Sequence, residues 1–136
     1  MPRIFDLNPI GVLVASLAFF FAGFVIYGVL FSELWMALEG VTEADAEGAG
    51  MGWLAPALVI TVMQVIGIGL LLKWRGAETL RDAAWTAFVA WLVLAVPLMA
   101  YDPIYNPNAS WLSLALDGLH LFVGWVGTAA ILTLMK

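Results

Sequence analysis

The stretch "WLSLALDGLHLFVGWVGTAAILTLMK", residues 111–136, decides the fold. Its apolar run is long enough to cross a bilayer, because about 20 helical residues span a hydrocarbon core of about 30 Å. Inside this run stand Asp117 and His120, the single histidine of the chain. An ionised aspartate at the bilayer centre costs about 2.5 to 3.5 kcal/mol on insertion scales. We therefore expect Asp117 to be protonated or to face the helix bundle, a wet cavity or a partner.

The composition extends this membrane interpretation to the whole chain. Of 136 residues, 64% are hydrophobic and only 11% are charged, which is far from the composition of soluble domains. So little chain is left outside the lipid that a separate soluble catalytic domain is excluded. The net charge of −5 argues against a nucleic-acid partner, and the lack of cysteine excludes disulfides and cysteine metal sites.

Four apolar stretches are predicted to span the membrane, and they form one domain over residues 1–136. The fold class is therefore all-α: a polytopic membrane protein with four transmembrane helices in an antiparallel bundle, in contact with the lipid bilayer. The predicted spans are residues 9–31, 51–73, 79–100 and 111–135.

Local signals mark the ends of these spans. Gly76 is suited to end the second helix and Thr79 to cap the third, so a short turn makes these helices antiparallel neighbours. Pro97 is expected to kink the third span, because proline removes a helical donor. The segment 101–110, "YDPIYNPNAS", reads as a turn-rich loop that ends in a Ser110 cap.

The connection after the first span, residues 32–50, contains five acids and no base. Leu34, Trp35 and Leu38 share one face of a predicted short interfacial helix, which Gly40 ends. The spacing of the acids matches no calcium-binding loop, so they are interpreted as a solvated face.

The basic residues predict the orientation, since Lys and Arg favour the cytoplasmic side of a membrane. All five fall at one end of the predicted bundle. Both termini are therefore expected in the cytoplasm, with the two acidic connections outside, in a bacterial inner membrane. The five bases are Arg3, Lys73, Arg75, Arg81 and Lys136.

Polar side chains inside the spans are the candidates for a ligand or proton site. At 1.5 Å per residue, Asp117 and His120 lie about 9 and 13 Å below the outer interface, Gln64 about 16 Å and Tyr27 about 6 Å. The four can therefore form one cluster in the outer half. Two interpretations stay open: hydrogen bonds that fix helix register, or an outward-opening, pH-responsive or ligand-binding pocket.

No catalytic residue, metal site or cofactor is predicted. The chain has no phosphate-binding loop and no nucleophile paired with a base, and one histidine without a second axial ligand is weak support for haem.

Small residues indicate where helices pack closely. In the last span, Gly124 and Gly127 continue the helical stripe of Asp117 and His120. Comparable stripes in the first and third spans predict further packing positions. These are Ala15, Ala22 and Ala87.

Two stretches resemble a family of small bacterial membrane proteins, number 1761 among the domains of unknown function. Residues 24–40, "FVIYGVLFSELWMALEG", resemble the aromatic segment that ends its first helix, and residues 114–132, "LALDGLHLFVGWVGTAAIL", resemble its last helix. The resemblance maps Tyr27, Trp35 and His120 onto family positions and implies the four-span layout, but it brings no activity. Here the proline common after the tyrosine is missing, and Ser32 replaces a common glycine.

The leading functional hypothesis is a non-enzymatic membrane protein that self-associates as a homo-oligomer or serves as an accessory subunit of a larger membrane complex. The alternative is a small transporter or ligand-binding protein with a polar site at Asp117 and His120 open to the outer side. An enzyme acting on a lipid ranks third, because no nucleophile and base can be paired.

Overall fold

The computed structural model describes residues 5–136, and this part of the chain is all-α. Two of its helices continue into π-helical segments. Four helical stretches are long and apolar enough to cross a membrane, which confirms the predicted four-helix membrane fold. The elements are α1 (Pro9–Gly23) with the first π-helical segment (Phe24–Leu30), α2 (Ser32–Glu39), α3 (Glu43–Gly48), α4 (Leu54–Arg75), α5 (Leu80–Ala90) with the second π-helical segment (Trp91–Ala95), α6 (Val96–Tyr105) and α7 (Trp111–Leu134).

The helix ends follow the local signals of the sequence. Gly40 and Gly76 end α2 and α4 in the left-handed conformation, each with φ of 66°, which a residue without a Cβ adopts freely. The Thr79 side chain caps α5 by accepting a hydrogen bond from the Asp82 amide, and Ser110 caps α7 through the Leu112 amide. These predicted stops and caps are confirmed.

The third span differs from its prediction at its outer end. The expected loop from residue 101 is helical as far as Tyr105, so the third span covers Leu80–Tyr105. The helix continues through this stretch although Pro103, which lies inside it, removes one backbone donor. A kink was expected at Pro97, which lies in the first turn of α6. Directly before α6 the structure has the second π-helical segment. The wide turn of this segment is closed by a hydrogen bond from the Val96 amide to the Trp91 carbonyl.

Helix α7 lies at the centre of the bundle and packs against α1, α4 and α5. One core cluster joins α1, α4 and α7 through Val12, Phe19 and Val65. Another joins α4, α5 and α7 and contains the fully buried Ala83 and Ala87. Apolar side chains on the outer surface, such as Leu13, Phe21 and Met63, are more than half exposed, as expected of helices that face lipid.

One end of the bundle joins the two ends of the described chain to the α4–α5 turn. The Asn8 side-chain amide donates to the Met135 carbonyl at 2.7 Å, and the Lys136 ammonium donates to the Ala77 carbonyl at 2.9 Å. Lys73 forms an ion pair with Asp6 at 2.6 Å. Three of the elements that carry the basic residues therefore lie at a common end. Arg3, which the orientation prediction includes, lies outside the described residues.

Candidate functional site

Asp117 and His120 project from the outer half of α7, one helical turn apart. A spacing of three residues places both side chains on the same face. This face meets the end of the first span, where the chain has left α-helical geometry for the first π-helical segment. The π-helical segment carries Tyr27.

The Tyr27 hydroxyl donates a hydrogen bond to Asp117 Oδ1 at 2.5 Å. It links the first and last spans across 90 positions of sequence. A hydrogen bond to a carboxyl group inside a bundle partly replaces the water that the group loses on insertion. Tyr27 is thus the side chain that makes Asp117 tolerable at this depth.

His120 is held between two aromatic rings. Its imidazole lies 5.2 Å from the Phe19 ring and 5.1 Å from the Tyr27 ring, the latter nearly perpendicular at 77°. Trp35 of α2 contacts the other side of Tyr27, with ring centroids 6.4 Å apart. The three positions that the family resemblance singles out, Tyr27, Trp35 and His120, are therefore joined by two edge-to-face ring contacts.

The Nε2 atom of His120 is buried and makes no hydrogen bond of regular geometry among residues 5–136, although the Phe19 backbone lies near enough to interact with the imidazole. It points at α1, where a Cβ added to Gly23 would come within 2.9 Å of it. Any side chain at position 23 would therefore displace the imidazole. Sequence reasoning missed Gly23 and Phe19, because nothing in the apolar run of α1 shows which residues face α7.

Gln64 does not join this cluster, which corrects the expectation drawn from its depth. Its Oε1 accepts a hydrogen bond from Trp125 Nε1 at 2.8 Å, further along α7. Depth alone does not determine the direction in which a helix residue faces. The structure thus brings Tyr27, Asp117 and His120 together and leaves Gln64 in a separate α4–α7 link.

The second π-helical segment reaches the same turn of α7. Trp91 Nε1 donates a hydrogen bond at 2.9 Å to the carbonyl of Gly118, the residue after Asp117. π-Helical turns inside α-helices are found often at functional sites. Here both π-helical segments deliver an aromatic donor to one turn of α7, from opposite neighbours.

The predicted packing residues divide into two groups. Ala15 and Ala87 are fully buried and Ala22 is half-buried. Gly124 lies against the Phe19 ring so closely that a Cβ would collide with it, whereas a Cβ on Gly127 would meet nothing within 4 Å. Gly127 therefore makes no close helix contact within one chain.

The chemistry available to this site is proton exchange and hydrogen bonding. In the part of the chain that the structure describes, no group of three or more His, Asp or Glu side chains is arranged to hold a metal ion. The site offers a carboxyl group, a phenol and an imidazole nitrogen that makes no regular hydrogen bond within the described chain. It could hold a proton, or a small polar ligand hydrogen-bonded to Nε2.

A family model described as a protein of unknown function (DUF1761) matches residues 10–133, which confirms the resemblance of the two sequence motifs. No curated protein and no solved structure matches the chain.

Proposed function

This chain belongs to the DUF1761 family, and from that premise we propose a non-enzymatic, multi-pass membrane protein with a proton-binding or ligand-binding site at Tyr27, Asp117 and His120. In this proposal it resides in a bacterial cytoplasmic membrane, with both termini in the cytoplasm and the site near the outer face. The family has no assigned function, so the proposal rests on the site itself.

One observation carries the proposal: a buried imidazole, whose Nε2 makes no regular hydrogen bond among residues 5–136, lies one helical turn from a hydrogen-bonded carboxyl group. A purely structural polar contact is expected to satisfy its buried donors and acceptors. Asp117 conforms to this rule through Tyr27, whereas His120 Nε2 and the hydroxyls of Ser16, Thr128 and Thr133 do not. Of these four groups, only the imidazole can take up a proton near neutral pH. An unsatisfied nitrogen in a membrane bundle is a site that a proton or a hydrogen-bonding ligand would stabilise.

The first experiment follows the His120 ring by NMR across pH in wild type and in Asp117→Asn and Tyr27→Phe. We expect the ring to titrate between about pH 5 and 8, with a midpoint that changes in Asp117→Asn, because the carboxyl charge acts directly on the imidazole. Circular dichroism checks that each variant remains folded. A ring that never titrates in this range would exclude the proton site.

Access from the outer side has a separate test. Because the chain has a single histidine, the ultraviolet absorbance of carbethoxyhistidine formed with diethyl pyrocarbonate in untagged protein reports on one imidazole alone. We expect labelling in right-side-out vesicles and none in His120→Gln. Protection in right-side-out vesicles together with labelling in inverted vesicles would contradict an outward-opening site.

Self-association, or a place as an accessory subunit of a larger membrane complex, is the second proposal. The small residues of α5 and Gly124 of α7 already pack against other helices of the same chain, so they do not support self-association. Gly67 and Gly127 support self-association, because both leave open space on membrane-spanning helices where another helix could approach closely. In addition, four helices are few for alternating access, so a transporter of this size would require a dimer.

Native mass spectrometry after gentle extraction distinguishes these assemblies. Self-association through α7 would be supported by a dimer that dissociates in Gly127→Leu. The matched change Gly124→Leu should instead impair folding. A monomer in several detergents would contradict it.

A further inference from the structure

A groove on the bundle surface lies between the start of α5 and the second half of α7. It has a volume of about 640 Å³, and its lining on α7 begins at Phe122, two residues after His120. Apart from Arg81 and Asp82 at its mouth, its lining is apolar. The lining residues are Arg81, Asp82, Ala84, Trp85, Phe88, Phe122 and Val126.

We propose that this groove binds one phospholipid with an anionic headgroup, its phosphate at Arg81 and one acyl chain along the aromatic floor. The groove belongs to two helices that are long and apolar enough to cross a membrane, so a lipid is the molecule that meets this surface. The proposal commits to an anionic lipid because of the charges at the mouth.

Arg81 supplies the positive charge. Among residues 5–136 it forms no ion pair, since the one ion pair there joins Lys73 and Asp6. The neighbouring Asp82 carboxylate accepts a hydrogen bond from the Thr79 hydroxyl at 2.7 Å as part of the α5 cap. This bond directs the Asp82 carboxylate into the α5 cap without cancelling its charge, and the Arg81 guanidinium is left to bind a phosphate through its planar set of donors.

The floor of the groove suits an acyl chain. Trp85 and Phe88 contact each other with ring centroids 5.5 Å apart, and Phe122 meets Phe88 edge-on at 6.3 Å. Trp85 is 59% exposed and lies one helical turn below Arg81. A tryptophan at this position matches the interfacial level of a membrane, with its ring between headgroup and hydrocarbon.

The surrounding charges favour the same ligand. Lys73, Arg75 and Lys136 lie in or beside the α4–α5 turn and the end of α7, at the same end of the bundle as Arg81. Basic clusters at a membrane surface attract anionic lipids, at about 1 kcal/mol for each basic residue. One lipid seated in the groove would thus be retained by headgroup charge and by chain contacts together.

The test uses the full-length protein in nanodiscs with equal amounts of phosphatidylglycerol and phosphatidylcholine that carry the same acyl chains. Native mass spectrometry then counts the lipid molecules that stay bound when the protein is released from the nanodisc. We expect one phosphatidylglycerol to be retained in preference, and Arg81→Gln to lower its binding about fivefold, which corresponds to the loss of one basic contact. Arg75→Gln is the matched control, because Arg75 carries the same charge at the same end and does not line the groove.

A second variant tests the groove without changing charge. Ala84→Phe fills the lining and should lower retention of both lipids, while circular dichroism and gel filtration show whether the bundle is intact. Equal retention of the two lipids by wild type, or equal losses in Arg81→Gln and Arg75→Gln, would overturn the proposal. Either outcome would mean that the groove holds only non-specific lipid from the surrounding bilayer.

Discussion

At the scale of single residues, close packing of α1 on α7 depends on Gly124. The Phe19 ring occupies the space that a side chain at position 124 would need. The same ring lies against His120 one turn away, so the position of the imidazole depends on this contact. A glycine chosen by packing thus determines the geometry of a polar site.

Replacing this glycine tests the contact. We expect Gly124→Ala to lower the free energy of unfolding by about 1 to 3 kcal/mol, because the added methyl group overpacks the α1–α7 contact. Gly127→Ala is the control, and it should be neutral or slightly stabilising, since a Cβ there meets nothing within 4 Å. Unfolding in mixtures of mild detergent and SDS measures both. Equal effects of the two variants would contradict the predicted contact.

The Gln64–Trp125 hydrogen bond is a second prediction at this scale. Interhelical hydrogen bonds in membranes contribute about 0.6 kcal/mol on average and at most about 1.7 kcal/mol. We expect a double-mutant cycle of Gln64→Leu and Trp125→Phe to give a coupling free energy in that range. Neither change should affect the titration of His120, because Gln64 contacts Trp125 and not the site. A changed His120 titration in Gln64→Leu would place this glutamine in the site after all.

At the scale of elements, the two π-helical segments determine which side chains reach α7. One additional residue in a helical turn rotates every later side chain by about 100° relative to an uninterrupted α-helix. Tyr27 lies within the first segment and Trp91 begins the second. The hydrogen bond of Tyr27 to Asp117 therefore depends on the first wide turn, whereas Trp91 reaches the Gly118 carbonyl from the start of the second.

Helix α3 gives a pH prediction for the outer connection. The Asp45 carboxylate accepts hydrogen bonds from the Thr42 amide and hydroxyl, and these bonds hold the pKa of Asp45 below its ordinary value. A lowered pKa in the folded state means that the capping box stabilises α3 above the unfolded pKa and loses its effect as pH falls through the folded value. We expect the α3 amides to lose hydrogen-exchange protection below about pH 4. Asp45→Ala should abolish this pH dependence, whereas Glu47→Gln should preserve it.

At the scale of the whole molecule, both described ends of the chain and the α4–α5 turn meet at one end of the bundle. The α2–α3 connection and the α6–α7 loop then belong to the opposite end, because each span reverses the direction of the chain. The described Lys and Arg residues therefore lie at one membrane surface together with Asp6, Glu78 and Asp82, while most acids lie at the other. This separation of charge underlies the proposed orientation.

Reporter fusions test the orientation directly. We expect fusions after Ala46 and Asn106 to report the periplasm, and fusions after Gly76 and Lys136 to report the cytoplasm. A variant that lacks both Arg75 and Arg81 provides the control. Loss of these two charges should weaken the preference for the predicted orientation without abolishing it. A periplasmic signal after Gly76 in the unaltered protein would overturn the orientation.

The sequence by itself determined the all-α membrane fold, the number of spans and most helix ends. Hydrophobic length, Gly76, Thr79 and Ser110 act locally, so their effects can be read without knowledge of any neighbour. It also identified Asp117 and His120 as side chains that need partners inside the membrane. It failed at residues 101–105, where a helix continues through composition typical of turns.

Only the tertiary structure decided which partners those side chains have. Tyr27 and Gln64 were both compatible in depth with the cluster, yet one binds Asp117 and the other binds Trp125. The choice depends on how each helix is rotated about its axis, and that rotation results from the fit of Phe19 against Gly124 and from π-helical segments that look in sequence like any apolar helix. These causes act between residues about 100 positions apart, so no local pattern in the sequence records them.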